Sequence, residues 1–435
     1  VDAGDALMAA GPLSLLTQAA SLEAAALVAE VVSRVSAWER ETGADTRRGD
    51  GLKATLQRAV EALAGGLLLT AARHGEGAWC RQAIRPAAFT GQPIGYRPFV
   101  AAHRAFVGLS LARHHAHLNR FHDFGGGAAG VQRFSARLAA TPALVALAQT
   151  HGLALPMMEW HWRQAPRVMP PRLLILRDVG WRLAGARVRG AELPQPKGAE
   201  ADAIRANITA ANRFLSTFTY DGCDPPALYR TFTRDLRHNG RWFGGIEDMP
   251  AEVRQDVRIG GEPVCEVDVR ASHLSILHGL QRLPLPGGDP YAGLGFPREV
   301  VKAWVTACIG NGGPVARWSQ EARERAAKPR EGRAVVDVSK HAAKAVGGAV
   351  VGRYSFLARV AEVVGCGDEP RLTSLRLMAL EAEALTRALD RLRERGMPAL
   401  PVHDALVVRE SDAEAARVEF AEAFEAVVRV RPVVR

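Results

Sequence analysis

Two apolar runs, Leu400-Pro401-Val402 and Ala405-Leu406-Val407-Val408, are separated only by His403 and Asp404. A two-residue connection of this kind folds as a tight β-hairpin, with both runs in one sheet. The common turn pairs, Asn-Gly and Asp-Gly, are absent, so no glycine relieves the backbone. Aspartate is an ordinary turn residue, but a glycine-free His-Asp tip is better explained by its side chains than by its backbone. A second carboxylate, Asp268, lies in the apolar segment Val264-Cys265-Glu266-Val267-Asp268-Val269. Period-two alternation sets Glu266 and Asp268 on one face, with Cys265, Val267 and Val269 on the other. A carboxylate inside such a strand needs hydrogen bonds or a cation, because an unpaired buried charge is costly. The plain alternative is an edge strand with an exposed aspartate. Two strand-borne aspartates far apart in sequence are the minimum for a two-metal phosphoryl-transfer centre.

The bulk properties set limits on this reading. With 435 residues, 48% of them hydrophobic, the chain folds into two or three domains with ample core. A net charge of +10 and a pI near 9.8 favour a polyanionic partner, although GC-rich coding also enriches arginine. The cysteines Cys80, Cys223, Cys265, Cys308 and Cys366 are scattered without CxxC spacing. That pattern argues against a zinc site and a disulfide framework, and makes a reducing cytoplasm the expected setting. Asp2 and Asp5 stand where a signal peptide is basic, and Glu23 and Glu30 interrupt the apolar stretch 19–32. Neither a signal peptide nor a membrane span is expected.

Residues 13–75 read as Ala/Leu-rich helices, with Ser21 as the N-cap of a helix over 21–41. The stretch 96–119 reads as a further helix carrying His103, Arg104, Arg113, His114, His115 and His117. With no companion carboxylate or cysteine, these histidines suit a solvated or nucleic-acid-facing surface better than a metal site. A glycine-rich turn at 124–130 precedes Arg133-Phe134-Ser135-Ala136-Arg137-Leu138, and Thr141-Pro142 opens a helix. Short strands are expected over 172–176 and 182–188. Such a set suits either a small winged-helix-like template grip or an ordinary α+β accessory domain. The segment 190–198, with Pro194 and Pro196, is the expected linker, dividing the chain into 1–195 and 196–435. Beyond it a helix is expected over 207–218. Arg230, Arg234, Arg237, His238 and Arg241 then interleave with Tyr229, Phe232, Trp242 and Phe243, a mixture suited to phosphate contact and stacking. Pro297 opens a helix on which Arg298 and Lys302 share a face, a placement able to grip a triphosphate.

Together these segments resemble the palm and fingers of family A DNA polymerases and the related single-subunit, phage-type RNA polymerases. The resemblance runs from about Arg230 to the C-terminus. Gly240-Arg241, followed by Pro250 and Arg254, is similar to the segment upstream of motif A, whose arginine touches the primer-template minor groove. Residues 266–274, Glu-Val-Asp-Val-Arg-Ala-Ser-His-Leu, resemble motif A, with Asp268 as first metal ligand. Arg298-x-x-x-Lys302 resembles motif B, and the helix 375–392 followed by Leu400 to Leu406 resembles motif C, with Asp404 as second metal ligand. The order is the family's. Departures are Ala405 for the Glu after the motif C His-Asp, Pro401 for an upstream Gln, His273 for the sugar-discriminating Glu, and Thr306 for an aromatic after motif B, with Gly310-Asn311 further on. The interval between motifs A and B is short, implying reduced fingers, and no exonuclease-like carboxylate pattern lies upstream.

The resemblance implies an α+β fold: a helical N-terminal region, a palm of antiparallel sheet with helices, and short helical fingers. It implies a template-directed nucleotidyltransferase in replication of a phage, plasmid or other mobile element. Asp268 and Asp404 would hold two Mg²⁺ ions (Mn²⁺ being the alternative), with the Val269 carbonyl completing one shell. Arg298 and Lys302 would bind the incoming nucleoside triphosphate. Arg241 and the basic stretch 323–344 would hold primer-template or template DNA, and His403 would orient the primer end or a phosphate. His273 makes relaxed sugar selection an expectation. Asp289-Pro290-Tyr291 is a turn near the site whose role, structural or functional, stays open. The competing reading is a non-catalytic DNA-binding replication accessory protein that retains the palm. A Ser/His/Asp hydrolase fares poorly, since there is no Gly-x-Ser-x-Gly elbow and adjacent Ser272 and His273 diverge. DNA against RNA product and primer dependence are left open by the sequence.

Overall fold

The computed structural model describes residues 7, 10–43, 50–89, 92–116, 119–123, 129–133, 135–165, 169–170, 172–183, 186–247, 249, 251–327 and 335–435. The fold is mixed α+β and forms two compact units. The first comprises 1–169 with 220–225, and the second 170–219 with 226–435. The division therefore falls earlier than the expected 195. The Gly/Pro-rich segment 190–198 is no linker between units, because the amide of Leu193 donates to the Leu176 carbonyl and ties it into the second.

In the first unit, helices Leu22–Glu41, Asp50–His74, Tyr96–Gly108 and Pro142–Thr150 share a core that includes Leu27, Val31, Leu63, Leu67, Phe99 and Phe106. Ser21 caps the first helix by accepting from the Ala24 amide, and Thr141 caps the last through the Leu144 amide. Beside them lies a sheet ordered Gly11–Pro12, Trp79–Gln82, Ala136–Ala140, Ala112–His115, its first pair parallel and the rest antiparallel. The helix expected over 96–119 stops at Gly108. Leu111 turns back to the Phe106 carbonyl with Ser110 at φ 55°, and Arg113, His114 and His115 lie exposed on a strand. His103 is 8% exposed, with its ring edge-on to His114 at 4.7 Å. Burial pushes its pKa down to about 4, so it is a neutral core histidine. His117 and most of the glycine-rich turn (124–128) lie outside the described residues.

The second unit is built on antiparallel strands in the order Arg258–Ile259, Glu262–Asp268, Ala405–Arg409, Ala399–Val402. Helices Thr373–Glu394 and Ala413–Val428 pack on one another and on this sheet. Its strands bury Val267, Leu400, Leu406 and Val408 completely. Each such side chain contributes about 1.5–3 kcal/mol, enough to hold a strained turn at the tip. A second sheet carries Asp235–Phe243, Tyr229–Thr233 and Leu174–Arg177, its last pair parallel. Helix Ala199–Leu215 occupies the region expected as 207–218. Helices Arg298–Asn311 and Ala343–Arg353 pack together around fully buried Trp304. Among the described residues no helix is long and apolar enough to cross a membrane.

Candidate active site

The hairpin forms as its sequence requires: Val402 faces Ala405, leaving His403 and Asp404 as the turn. His403 is exposed with φ 56°, a left-handed conformation that glycine normally supplies. Such strain costs on the order of 1–3 kcal/mol, which the buried strands offset. In the neighbouring strand Asp268 faces Ala405 directly, so Asp404 adjoins the cross-strand partner of Asp268. Residues 433–435 add to the other edge of the Asp268 strand: the amides of Asp268 and Arg270 donate to the carbonyls of Arg435 and Val433. Because successive peptide groups point to opposite edges of a strand, Val269 turns its carbonyl toward the Asp404 side.

Electrostatics joins the two aspartates to a third carboxylate. Burial raises the pKa of Asp404, and the negative charges of Glu381 and Asp268 raise it further, to about 7, against a smaller pull from Arg241. Asp268 is also raised by burial, with Glu266 and Glu381 adding to it while the Arg435 guanidinium opposes. Arg435 Nη2 lies 3.0 Å from Asp268 Oδ2.

Glu381, on the inner face of the Thr373–Glu394 helix, is only 3% exposed. Ser272 Oγ donates to its Oε1 at 2.5 Å and Arg241 Nη2 to its Oε2 at 3.0 Å, while His273 Nε2 stands 3.6 Å from Oε1. Burial alone would raise this carboxyl, but His273, Arg241 and the Ser272 hydroxyl outweigh it and hold it ionised below the ordinary glutamate range. Burial lowers the pKa of His273. Four chain segments thus converge: the Arg241 strand, the Asp268 strand with the helix after it, the Glu381 helix and the Asp404 turn.

Arg241 owes its position to Gly240. Thr231 faces Arg241 and Phe232 faces Asn239, so Gly240 is the extra residue of a β-bulge. Its φ is +73°, and a Cβ there would lie 3.1 Å from the ring of Phe232. Arg230 differs from its expected phosphate-contacting role. It is 8% exposed, sandwiched between the rings of Phe232 (4.9 Å) and Trp242 (5.3 Å), and its Nε donates to the Gly240 carbonyl. Burial pushes its pKa down to about 10. It braces the bulge from behind.

The expected triphosphate grip is a separate cluster. Arg298 is paired with Asp289 and Glu299, and the ring of Tyr291 lies 5.5 Å from the Arg298 guanidinium and 5.8 Å from the Lys302 ammonium. Partial burial works to raise Asp289, yet Arg298, the Tyr291 amide and nearby Arg270 hold it below the ordinary range. The Asp289-Pro290-Tyr291 turn is therefore what organises the two cations. Arg270, two residues after Asp268, links this cluster electrostatically to the aspartate strand. Thr306 is exposed and bonded to the Lys302 carbonyl, and part of the stretch 323–344 (328–334) lies outside the described residues.

Among the described residues no three His, Cys, Asp or Glu side chains form a metal cage. Mg²⁺ seldom needs one, taking one or two carboxylates and filling its shell with water and phosphate oxygens. Asp268, Asp404 and the Val269 carbonyl are the groups that could supply such a donor set. Burial first, and then the charges of Glu381 and Asp268, lift Asp404 to about 7, and a divalent cation placed between the two aspartates would oppose both effects. Glu381 is already satisfied by Ser272 and Arg241. Sequence reasoning missed Glu381 and Arg435. Glu381 stands on the buried stripe of its helix between Leu380 and Ala382, where a carboxylate against the apolar pattern was the available signal. Nothing in the sequence singles out Arg435. No protein-family model matches this chain, and a search of curated proteins finds no match.

Proposed function

We propose that the second unit is a template-directed nucleotidyltransferase, acting on primer-template or template nucleic acid with nucleoside triphosphates. The single observation that supports this most is the convergence of Asp268, Asp404, Glu381 and Arg241 from four segments, in the chain order of a family A-like palm. Bound Mg²⁺ would supply the Lewis acidity that activates a 3′-hydroxyl and neutralises the leaving pyrophosphate. Asp268 and Asp404 would hold the cations, and the crowding of their negative charge with Glu381 supports that role. Glu381 fixes Arg241 and His273 at the edge of the site, where Arg241 meets the nucleic acid. Arg298 and Lys302, aligned by Asp289 and Tyr291, exchange these partners for triphosphate oxygens. The test is Mg²⁺-dependent primer extension by the wild type and Asp404→Asn. Extension abolished by the substitution supports the reading, and equal incorporation by both proteins refutes it.

The Arg435–Asp268 ion pair favours a second reading, a DNA-binding accessory protein whose palm no longer needs metal. A guanidinium already compensates one of the two carboxylates. If Mg²⁺ neither stabilises the protein nor binds more tightly to Arg435→Ala, this second reading holds.

A further inference from the structure

A cluster apart from the candidate active site combines a thiol, an imidazole and a carboxylate. Cys366 Sγ lies 4.0 Å from His238 Nε2, and His238 Nδ1 lies 2.7 Å from Asp235 Oδ1. Asp235 holds the proton on Nδ1, which leaves the Nε2 lone pair facing the thiol. The Asp235 carboxylate is itself oriented by the Arg237 amide. Cys366 sits in a tight turn between exposed Gly365 and Gly367, with 6% of its own surface exposed. Burial raises its pKa, Arg376 works against that rise, and the carboxylates of Asp235 and Glu369 add to it. At rest the sulfur is therefore a thiol and needs a base in order to react. The adjacent imidazole, oriented by its carboxylate, is that base.

We propose that Cys366 is a modification site for small hydroperoxides, activated by His238 and Asp235. The S–H proton passes to His238 Nε2 as the sulfur attacks one peroxide oxygen. An S–O bond forms and the O–O bond breaks, and the leaving hydroxide or alkoxide takes the proton back from the imidazolium. The sulfur is oxidised by two electrons to a sulfenic acid, and the peroxide is reduced to water or an alcohol. This chemistry is independent of the nucleotidyltransferase reading.

Three of the other four cysteines supply internal controls. Cys265 is more exposed than Cys366, and burial and Glu410 raise its thiol against a pull from Arg417, an arginine that cannot act as a base. Cys80 and Cys308 are almost fully buried. Exposure alone therefore orders Cys265 ahead of Cys366, whereas base activation reverses that order. The experiment pulses the full chain with hydrogen peroxide, traps sulfenic acid with dimedone and quantifies each cysteine by mass spectrometry. Cys366 should label at least about tenfold faster than Cys265. His238→Gln should bring it to or below Cys265, and Asp235→Asn should give an intermediate rate, while Cys265 stays unchanged. Unlabelled Cys80 and Cys308 certify that each variant is folded. Faster labelling of Cys265 in the wild type, or a Cys366 rate indifferent to folded His238→Gln or Asp235→Asn, overturns the proposal.

Discussion

Asp404→Asn should make the protein more stable at alkaline pH, the opposite of what removing a well-paired carboxylate does. In the folded chain the Asp404 pKa is raised from 3.8 to about 7 by burial and by the charges of Glu381 and Asp268. The folded state thus holds a proton that the unfolded chain releases. Stability is full below pH about 4, declines as pH rises, and the loss is complete above pH about 7. About three pH units at 1.36 kcal/mol each give a loss of roughly 4 kcal/mol at pH 8, an upper figure that partial solvent access reduces. Asparagine keeps the shape and cannot ionise, so it removes that loss. Exchanging the carboxyl O–H for an amide NH2 costs up to about 1 kcal/mol in hydrogen bonding. Urea unfolding at pH 4 and pH 8 measures both ends. The variant should be level with, or about 1 kcal/mol below, the wild type at pH 4, and about 2–3 kcal/mol above it at pH 8. A wild type that is the more stable at pH 8, or a difference that does not widen between the two pH values, would refute the claim that three carboxylates crowd this site. Such a trade of stability for a charged site is common at functional centres.

Glu381→Gln should lower the Asp404 pKa, seen as a shifted carboxyl resonance in an NMR titration, because one of its two like-charged neighbours is gone. The same substitution should cost about 1–3 kcal/mol by leaving the Arg241 guanidinium without its anion. Arg230→Ala should destabilise by about 3 kcal/mol through lost packing and a collapsed bulge, yet leave the salt dependence of nucleic-acid binding unchanged. If the salt slope falls by about one, Arg230 reaches phosphate after all. Arg435→Ala should raise the Asp268 pKa, since the guanidinium now lowers it, and should strengthen Mg²⁺ binding measured by calorimetry. Weaker binding would mean that Arg435 assists the site instead of competing with the metal.

The parts of this structure that were legible in the sequence are those set by local rules. Period-two apolar runs gave the Glu262–Asp268 strand and the two arms of the His403-Asp404 hairpin, and Ser21, Thr141 and Pro297 marked helix starts at the observed positions. What stayed hidden depends on tertiary contact. Arg230 and Arg241 look alike in the sequence, but the bulge at Gly240 sends one between two aromatic rings and the other to Glu381. The helix expected over 96–119 ends at Gly108 because Leu109 and Ser110 form a turn whose cost is met by the strand pairing that follows. The division between units falls before the Gly/Pro-rich segment 190–198, which reads as a linker in sequence while its backbone pairs with a strand. Glu381 breaks the apolar stripe of its helix, but that local sign does not say what the carboxylate is for; its meaning comes from Ser272, more than a hundred residues away.

In the proposed function, Asp268 and Asp404 form one cation-binding pair serving nucleotide transfer to a templated 3′ end. Single-nucleotide extension of a recessed primer, with Mg²⁺ titrated against wild type, Asp268→Asn and Asp404→Asn, tests it most directly. Expected are incorporation of the complementary nucleotide only, strict dependence on Mg²⁺, and a loss of at least about a thousandfold in each variant, an effect of several kcal/mol on the barrier. Metal-independent incorporation, or extension by either variant at the wild-type rate, would contradict it.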